Sequence, residues 1–275
     1  MEVSIDFTVE AWIYPQLVTT DNTIFGQCAC TTCTNQCLYL IIRSSHLYMG
    51  FNFNDLAGTA TLTASTWYHV AFVYNYQTLQ QIIYLDGVQD SIRSNVQPYQ
   101  GQNGSITIGI STFLPANYYN GYIDNMALTT RAKSSTEILN DATNIVYYSF
   151  DQPNPYYDNG VNHINSTNYN SVVASSGSVN QGIRFTTTSA YFQMYSFYQF
   201  GFYNSKSWTF AVWISPTSLT AGIIVHMSST SGSGYYQDVL FLTYGAQIAT
   251  QVYCSSLGTY PGFYGPVVSI NTWTH

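Results

Sequence analysis

The run Phe7-Thr-Val-Glu-Ala-Trp-Ile-Tyr-Pro15 returns, reshaped, as Trp208-Thr-Phe-Ala-Val-Trp-Ile-Ser-Pro216. A second landmark follows each copy at nearly the same spacing: Thr66-Trp67-Tyr-His69 after Trp12, and Thr272-Trp273-Thr-His275 after Trp213. Two landmarks recurring in one order mark a duplicated unit. The stretch from His69 to about Ala142 belongs to the first copy only, and that from about Ile145 to Ser207 leads only into the second. The first copy therefore reads as lacking its opening strands and the second its closing strands. The boundary falls near residue 143, giving modules at 1–143 and 144–275.

Composition narrows the function classes. Only 7% of the 275 residues are charged, six Lys or Arg against thirteen Asp or Glu, for a net charge of −7. Nucleic-acid binding draws its affinity from clustered cations, and here Arg43, Arg93, Arg131, Lys133, Arg184 and Lys206 are scattered. Hydrophobic residues at 46% and aromatics at 17% supply enough apolar surface to exclude a disordered chain. No apolar run approaches the roughly 20 residues a membrane-spanning helix needs. Met1-Glu-Val-Ser-Ile-Asp6 has no basic or apolar leader region, whereas Cys28, Cys30, Cys33 and Cys37 crowd together as in an oxidising compartment. The chain is therefore read as a piece of a longer secreted protein.

Period-two alternation predicts strands. Phe7, Val9, Ala11 and Ile13 share one face of the first strand, and Thr8, Glu10, Trp12 and Tyr14 the other. Further strands are expected at 38–43, 47–53, 67–74, 80–85, 105–110 and 119–128, with Asp86-Gly87 turning a hairpin. One helix is predicted, because Ser134 and Glu137 have the spacing of a capping box. In the second module, strands are expected at 145–151, 182–187, 190–194, 208–214, 223–226, 239–244 and 248–253, and residues 152–181 read as loop. Many short strands between turn signals predict an all-β sandwich.

Phe7-Thr-Val-Glu-Ala-Trp-Ile, Thr66-Trp67-Tyr-His-Val-Ala-Phe-Val-Tyr, Ile83-Tyr-Leu-Asp-Gly87 and Gly121-Tyr-Ile-Asp-Asn-Met-Ala-Leu128, followed by Ser134 to Ile138, resemble the laminin G-like jelly roll family. In the second copy, Tyr148-Ser-Phe-Asp151, Asp158-Asn-Gly160, Gly182-Ile-Arg-Phe185 and Thr209 to Ile214 resemble the family's opening half. The resemblance implies the concanavalin A-like lectin and glucanase fold, two packed antiparallel sheets in tandem modules. It also implies extracellular adhesion or carbohydrate recognition at rim loops. First and last strands pair in that fold, so each partial module is expected to keep an open sheet edge, a route to self-association.

Several groups of residues carry the chemistry. Cys28, Cys30, Cys33 and Cys37 read as two disulfides whose pairing is open, with a thiolate zinc site or reduced thiols as the alternatives. Cys254 has no counterpart in the first copy and is expected to be buried, or to pair outside this sequence. Calcium is the ion the resemblance implies, and Asp158-Asn159-Gly160 matches it best, against the plainer reading of an Asx turn. Asp86 and Asp124 are accounted for by a hairpin and by backbone capping. Tyr118, Tyr119, Tyr156 and Tyr157, in loops, are candidate sugar-stacking residues, as is the aromatic-rich stretch from Tyr195 to Trp208. Trp12 and Trp213 recur at one repeat position and read as core, as do His69 and His226 within apolar strands. Asn103 and Asn165 head glycosylation sequons. A glycosidase needs two carboxyls within several ångströms, whereas Glu10 and Asp238 each stand alone in their runs, so no enzyme is expected. A glycan or an extracellular protein is the expected partner; a matrix or filament role is the alternative, and a glycoside hydrolase the distant third.

Overall fold

In the computed structural model, the structure describes residues 6–101, 103–160, 162–195, 209–230, 233–251 and 262–275. Side chains at 228–230 and 233–238 stay outside the description. So do Cys254, the aromatics Phe197, Tyr198, Phe200, Phe202, Tyr203 and Trp208, and the end of the strand expected at 248–253. The chain divides into two compact units, 1–147 and 148–275.

The first unit is an all-β sandwich of two five-stranded antiparallel sheets. Its strands are β1 (Phe7–Pro15), β2 (Asn22–Cys28), β3 (Cys37–Arg43), β4 (His46–Gly50), β5 (Asp55–Ala57), β6 (Tyr68–Asn75), β7 (Gln80–Leu85), β8 (Val88–Arg93), β9 (Ser105–Ile108) and β10 (Gly121–Thr129). One sheet runs β10-β1-β6-β7-β8 and the other β5-β4-β3-β2-β9. The alternation seen in the sequence decides which residues fill the gap. Phe7, Val9, Ala11 and Ile13 meet Leu38, Leu40, Ile42, Leu47 and Met49 in one core, which Phe51, Tyr74 and Tyr99 close with ring contacts at one end. Each fully buried aliphatic or aromatic side chain contributes about 1.5–3 kcal/mol.

Asp86-Gly87 turns the β7–β8 hairpin with both residues at positive φ (49° and 79°), the backbone that this dipeptide tolerates. The helix α1 (Ser135–Thr143) begins at Ser134 with the predicted capping box. It lies on the outer face of the first sheet, where Ile138 packs against Ala71, Val73 and Tyr84. Strands β2 and β5 lie outside the sequence-predicted set, β8 is foreshadowed only by the Asp86-Gly87 turn, and the strand expected over 47–53 ends at Gly50. Among the described residues, no helix is long and apolar enough to cross a membrane.

The second unit holds three smaller antiparallel sheets. Strands β11 (Ser166–Tyr169) and β14 (Tyr191–Met194) pair, as do β12 (Ser171–Ala174) and β13 (Gly182–Phe185). Strands β15 (Gly222–Thr230), β16 (Ser233–Leu242), β17 (Gln247–Gln251) and β18 (Gly262–Val267) form a meander. Several expectations are corrected here. Residues 145–151 form no strand; Tyr148 and Phe150 turn their rings onto Phe192 instead. The run 209–213 is not a strand either, and only Ile214 bridges, to Thr274. Trp213 is 49% exposed and packs on His275 rather than entering a core, and His226 is exposed. Conversely, β11 and β12 occupy the Asn- and Ser-rich stretch read as loop. Its polar residues do pair there, with Tyr169 stacked on Tyr191 at 4.3 Å.

Candidate functional site

The outward face of the second sheet in the first unit carries a row of rings. On β3, Leu38, Leu40 and Ile42 point into the core, so Tyr39, Ile41 and Arg43 point out. Gly50, the cross-strand partner of Tyr39, has no side chain, and the ring fills that space: a Cβ there would stand 2.1 Å from Tyr39 Cζ. The loop after β9 folds back over this face and stacks Phe113 on Tyr39, with centroids 4.9 Å apart. Tyr48 also stacks on Tyr39, at 6.2 Å, and the Arg43 guanidinium lies 4.6 Å above Tyr48. The ladder therefore runs Phe113–Tyr39–Tyr48–Arg43.

Polar groups line its margin. Arg43 grips Asp21 through two hydrogen bonds, Nε to Oδ1 at 2.7 Å and Nη2 to Oδ2 at 2.6 Å. Tyr48 donates its hydroxyl to Asp55 at 3.3 Å. Burial, with Asp55 adding to it, holds the Tyr39 and Tyr48 hydroxyls protonated well above the ordinary tyrosine range. Tyr39 is buried, whereas Tyr48, Arg43, Asp21, Asp55 and Phe113 are half-buried. A ring-rich floor beside hydroxyl, guanidinium and carboxylate groups suits a ligand that is apolar on its faces and hydroxylated at its edge. The sequence places Tyr39 and Tyr48 in strands, and its one sign of the row is two tyrosines on the face opposite the core residues.

Within the first unit, the residues singled out in the sequence do not converge. Cys28 bonds Cys37 and Cys30 bonds Cys33, stapling the β2–β3 loop. Exposed Asn103 lies near this end, ahead of β9. Tyr118 and Tyr119 lie toward the opposite end, where Asn120 is tied to Asn22. Tyr118 is 66% exposed, but Tyr119 packs against the core with its hydroxyl buried and unpartnered, which corrects its reading as a ligand contact.

In the second unit, Tyr156 leans on Phe192, and exposed Tyr157 stacks on His163 and shares a 2.9 Å hydrogen bond with it. Asp158 is buried. Its Oδ1 accepts from Gly160 N and its Oδ2 from Ile164 N, both at 2.8 Å, the geometry of an Asx turn that closes its own loop. Asn159 and Asn165 are exposed. A shallow hollow of about 300 Å³ in this unit is lined by Ala221, Gly222, Ile223, Phe241, Leu242 and Gln251, none of them titratable.

Glu10 and His69 form a second cluster, under α1. Both are buried on the outer face of the first sheet, with His69 Nε2 3.9 Å from Glu10 Oε1. The Lys133 ammonium bonds Glu10 Oε2 and, at 2.8 Å, Asp141 Oδ2. Burial raises the Glu10 pKa against the pull of Lys133, and lowers that of His69 to about 4. His69 Nδ1 has no hydrogen-bond partner, so the histidine is buried as expected but not satisfied. Glu10 faces the segment that carries α1 rather than a cleft.

A family profile described as the Concanavalin A-like lectin/glucanases superfamily matches residues 2–139. No curated protein sequence matches the chain. Among solved structures, domain 4 of a GH43 extracellular arabinanase from Geobacillus stearothermophilus, in complex with arabinotriose, is 20% identical at a TM-score of 0.40. The match covers 50% of this chain and 66% of that one, so the chain spans just under two thirds of that domain. A heptameric SAP-like pentraxin from Limulus polyphemus is 18% identical at 0.41, over 51% of this chain and 70% of that one. The CBM40 of a Ruminococcus gnavus IT-sialidase, bound to α2,3 sialyllactose, is 12% identical at 0.43, over 50% and 83%.

Proposed function

We propose that this chain, which belongs to the concanavalin A-like lectin/glucanase superfamily, is a non-catalytic extracellular carbohydrate-recognition module. The observation that carries the reading is the Phe113–Tyr39–Tyr48–Arg43 ladder with Asp21 and Asp55 at its margin. A pyranose meets the half-buried margin of the ladder, at Phe113 and Tyr48, with its C–H face toward the ring edges, while its hydroxyls bond the polar groups that line that margin. The two disulfides in the first unit support an oxidising, extracellular setting, and exposed Asn103 and Asn165 fit glycan acceptors there. Tyr48→Ala removes the centre of the ladder and is expected to weaken glycan binding about ten-fold, near 1.4 kcal/mol. Titration calorimetry with the best ligand from a glycan array measures this, and unchanged affinity would refute the site. Repeating it with calcium and with a chelator tests the contribution of Asp158 and Asn159.

A second reading, self-association, rests on one seam of the sandwich. Ile108 pairs with core residue Phe25, and Leu128 pairs with core residue Val9, so Ile108 and Leu128 face the interior. Yet Ile106, Ile108 and Leu128 are 50%, 56% and 48% exposed. Strands β9 and β10 are the edges of their sheets on this side, and interior residues open to solvent there invite another strand. Sedimentation velocity is expected to show concentration-dependent assembly that Ile106→Thr with Ile108→Thr removes. A monomer at all concentrations would retire this reading.

A further inference from the structure

The β4–β5 hairpin turns through Phe51-Asn52-Phe53-Asn54, with Phe51 N bonded to Asn54 O at 3.0 Å. Both central residues have positive φ, 67° at Asn52 and 74° at Phe53. Asn tolerates that backbone; Phe does so only at the expense of strain, and the usual second residue of such a turn is Gly. The side chain gains nothing from packing in return, since Phe53 is 72% exposed whereas Phe51, two residues earlier, is fully buried.

The turn is nevertheless held firmly. Asn52, 5% exposed, donates from Nδ2 to Thr31 O at 3.3 Å and Cys33 O at 3.0 Å, inside the loop closed by the Cys30–Cys33 bond. Asn35 N donates back to Asn52 O at 3.1 Å. The Asp55 carboxylate accepts from Phe51 N at 3.2 Å, and Gln81 Nε2 donates to Asn54 O at 3.0 Å. A strained, solvent-facing ring on a rigid mount is the pattern of a contact residue retained for what it touches. Its surroundings define the ligand. Residues 28–37 and 51–54 contain no charged side chain, the next residue, Asp55, is half-buried with its carboxylate bonded to Phe51 N and the Tyr48 hydroxyl, and Thr31, Thr32 and Thr34 are exposed. A flat ring on a loop of hydroxyls and amides, where the one nearby carboxylate is already bonded, suits the C–H face of a neutral pyranose.

We infer that Phe53, on the turn mounted against the disulfide-stapled loop, is a second sugar-stacking subsite, taking an uncharged pyranose next to Thr31, Thr32 and Thr34. This rests on the carbohydrate-recognition reading above and adds a site at the end of the sandwich, beyond the ladder on its face.

The test uses the full chain with ring-labelled Phe, titrated by NMR with methyl pyranosides of glucose, galactose, mannose and N-acetylglucosamine and with their short β-1,4 oligomers. Phosphatidylcholine vesicles form a parallel arm. The Phe53 ring signals are expected to shift with at least one sugar. Phe53→Gly is expected to lower that affinity about ten-fold while raising Tm, because the strain is relieved; Phe53→Trp is expected to keep binding. Loss of stacking combined with gain of stability separates a contact role from a structural one. If Phe53→Gly binds as tightly as the parent while Tyr48→Ala does not, the tip subsite is wrong and the ladder reading stands. If no sugar binds the parent chain, both fall. If only vesicle binding responds to Phe53→Gly, the ring is a membrane contact and the subsite is refuted.

Discussion

Lys133→Met is expected to destabilise the first unit by about 3–5 kcal/mol, the usual consequence of leaving one member of a buried ion pair uncompensated. The Glu10 carboxylate side chain is 5% exposed and that of Lys133 16%, so water cannot replace the lost cation. Desolvation is the largest influence on Glu10 and already raises its pKa with Lys133 in place. Without the lysine, the carboxyl must either take up a proton at neutral pH or open the seam beneath α1. The same change frees Asp141 and removes a tie between the segment before the helix and the helix itself, although Thr8 still bonds Arg131 O and Lys133 N. Adding Glu10→Gln to Lys133→Met is expected to restore most of the loss, since the remaining amide carries no charge to compensate. Urea midpoints for the two single variants and the double variant make a thermodynamic cycle. A Lys133→Met midpoint equal to that of the parent would overturn this account.

That network explains why the sequence yields the sandwich more readily than the sites on it. Alternation in Phe7 to Tyr14, Asp86-Gly87 and the Ser134–Glu137 spacing are local signals, and each corresponds to the element it predicts, because neighbours in sequence decide it. Glu10 looked solitary because its partner Lys133 lies 123 residues away, and β1 meets the segment before α1 only after the sheet has formed. The same limit applies to Tyr118 and Tyr119, adjacent loop residues of one type, of which one faces water and the other the core. The ladder was half legible. Tyr39, Ile41 and Arg43 alternate with Leu38, Leu40 and Ile42, which marks an outward face, but the Gly50 gap and Phe113, arriving from a distant loop, are tertiary facts. Phe53 was read as the end of a strand; only its backbone angle and its exposure distinguish it. At 145–151 pattern misleads: the alternation exists but no strand forms, and Tyr148 and Phe150 pack on Phe192 instead.

Lowering the pH from 7 to 5 is expected to loosen the packing of α1 on the first sheet, with His69 as the responsible group. Burial lowers its pKa from 6.5 to about 4, so the folded state holds the ring neutral where the unfolded chain would already be protonated. The contribution is fully present above pH 6.5 and is lost as pH falls toward 4, at roughly 1.4 kcal/mol per pH unit, about 3 kcal/mol across the window. Glu10 acts with the opposite sign. Its raised pKa makes the folded state bind a proton more readily than the unfolded chain, so Glu10 protonation offsets part of the His69 loss. Lys133 and Asp141 complete the charged groups facing the ring; Asp141 favours the imidazolium and Lys133 opposes it. His69→Leu removes both the titration and the unpartnered Nδ1, keeps apolar contact with Trp12, and is expected to flatten the stability profile between pH 7 and 5. Hydrogen exchange of the β1 and β6 amides, compared between the parent and His69→Leu at those two pH values, reads the effect locally. Equal acid sensitivity in both proteins would show that His69 is not the group that titrates.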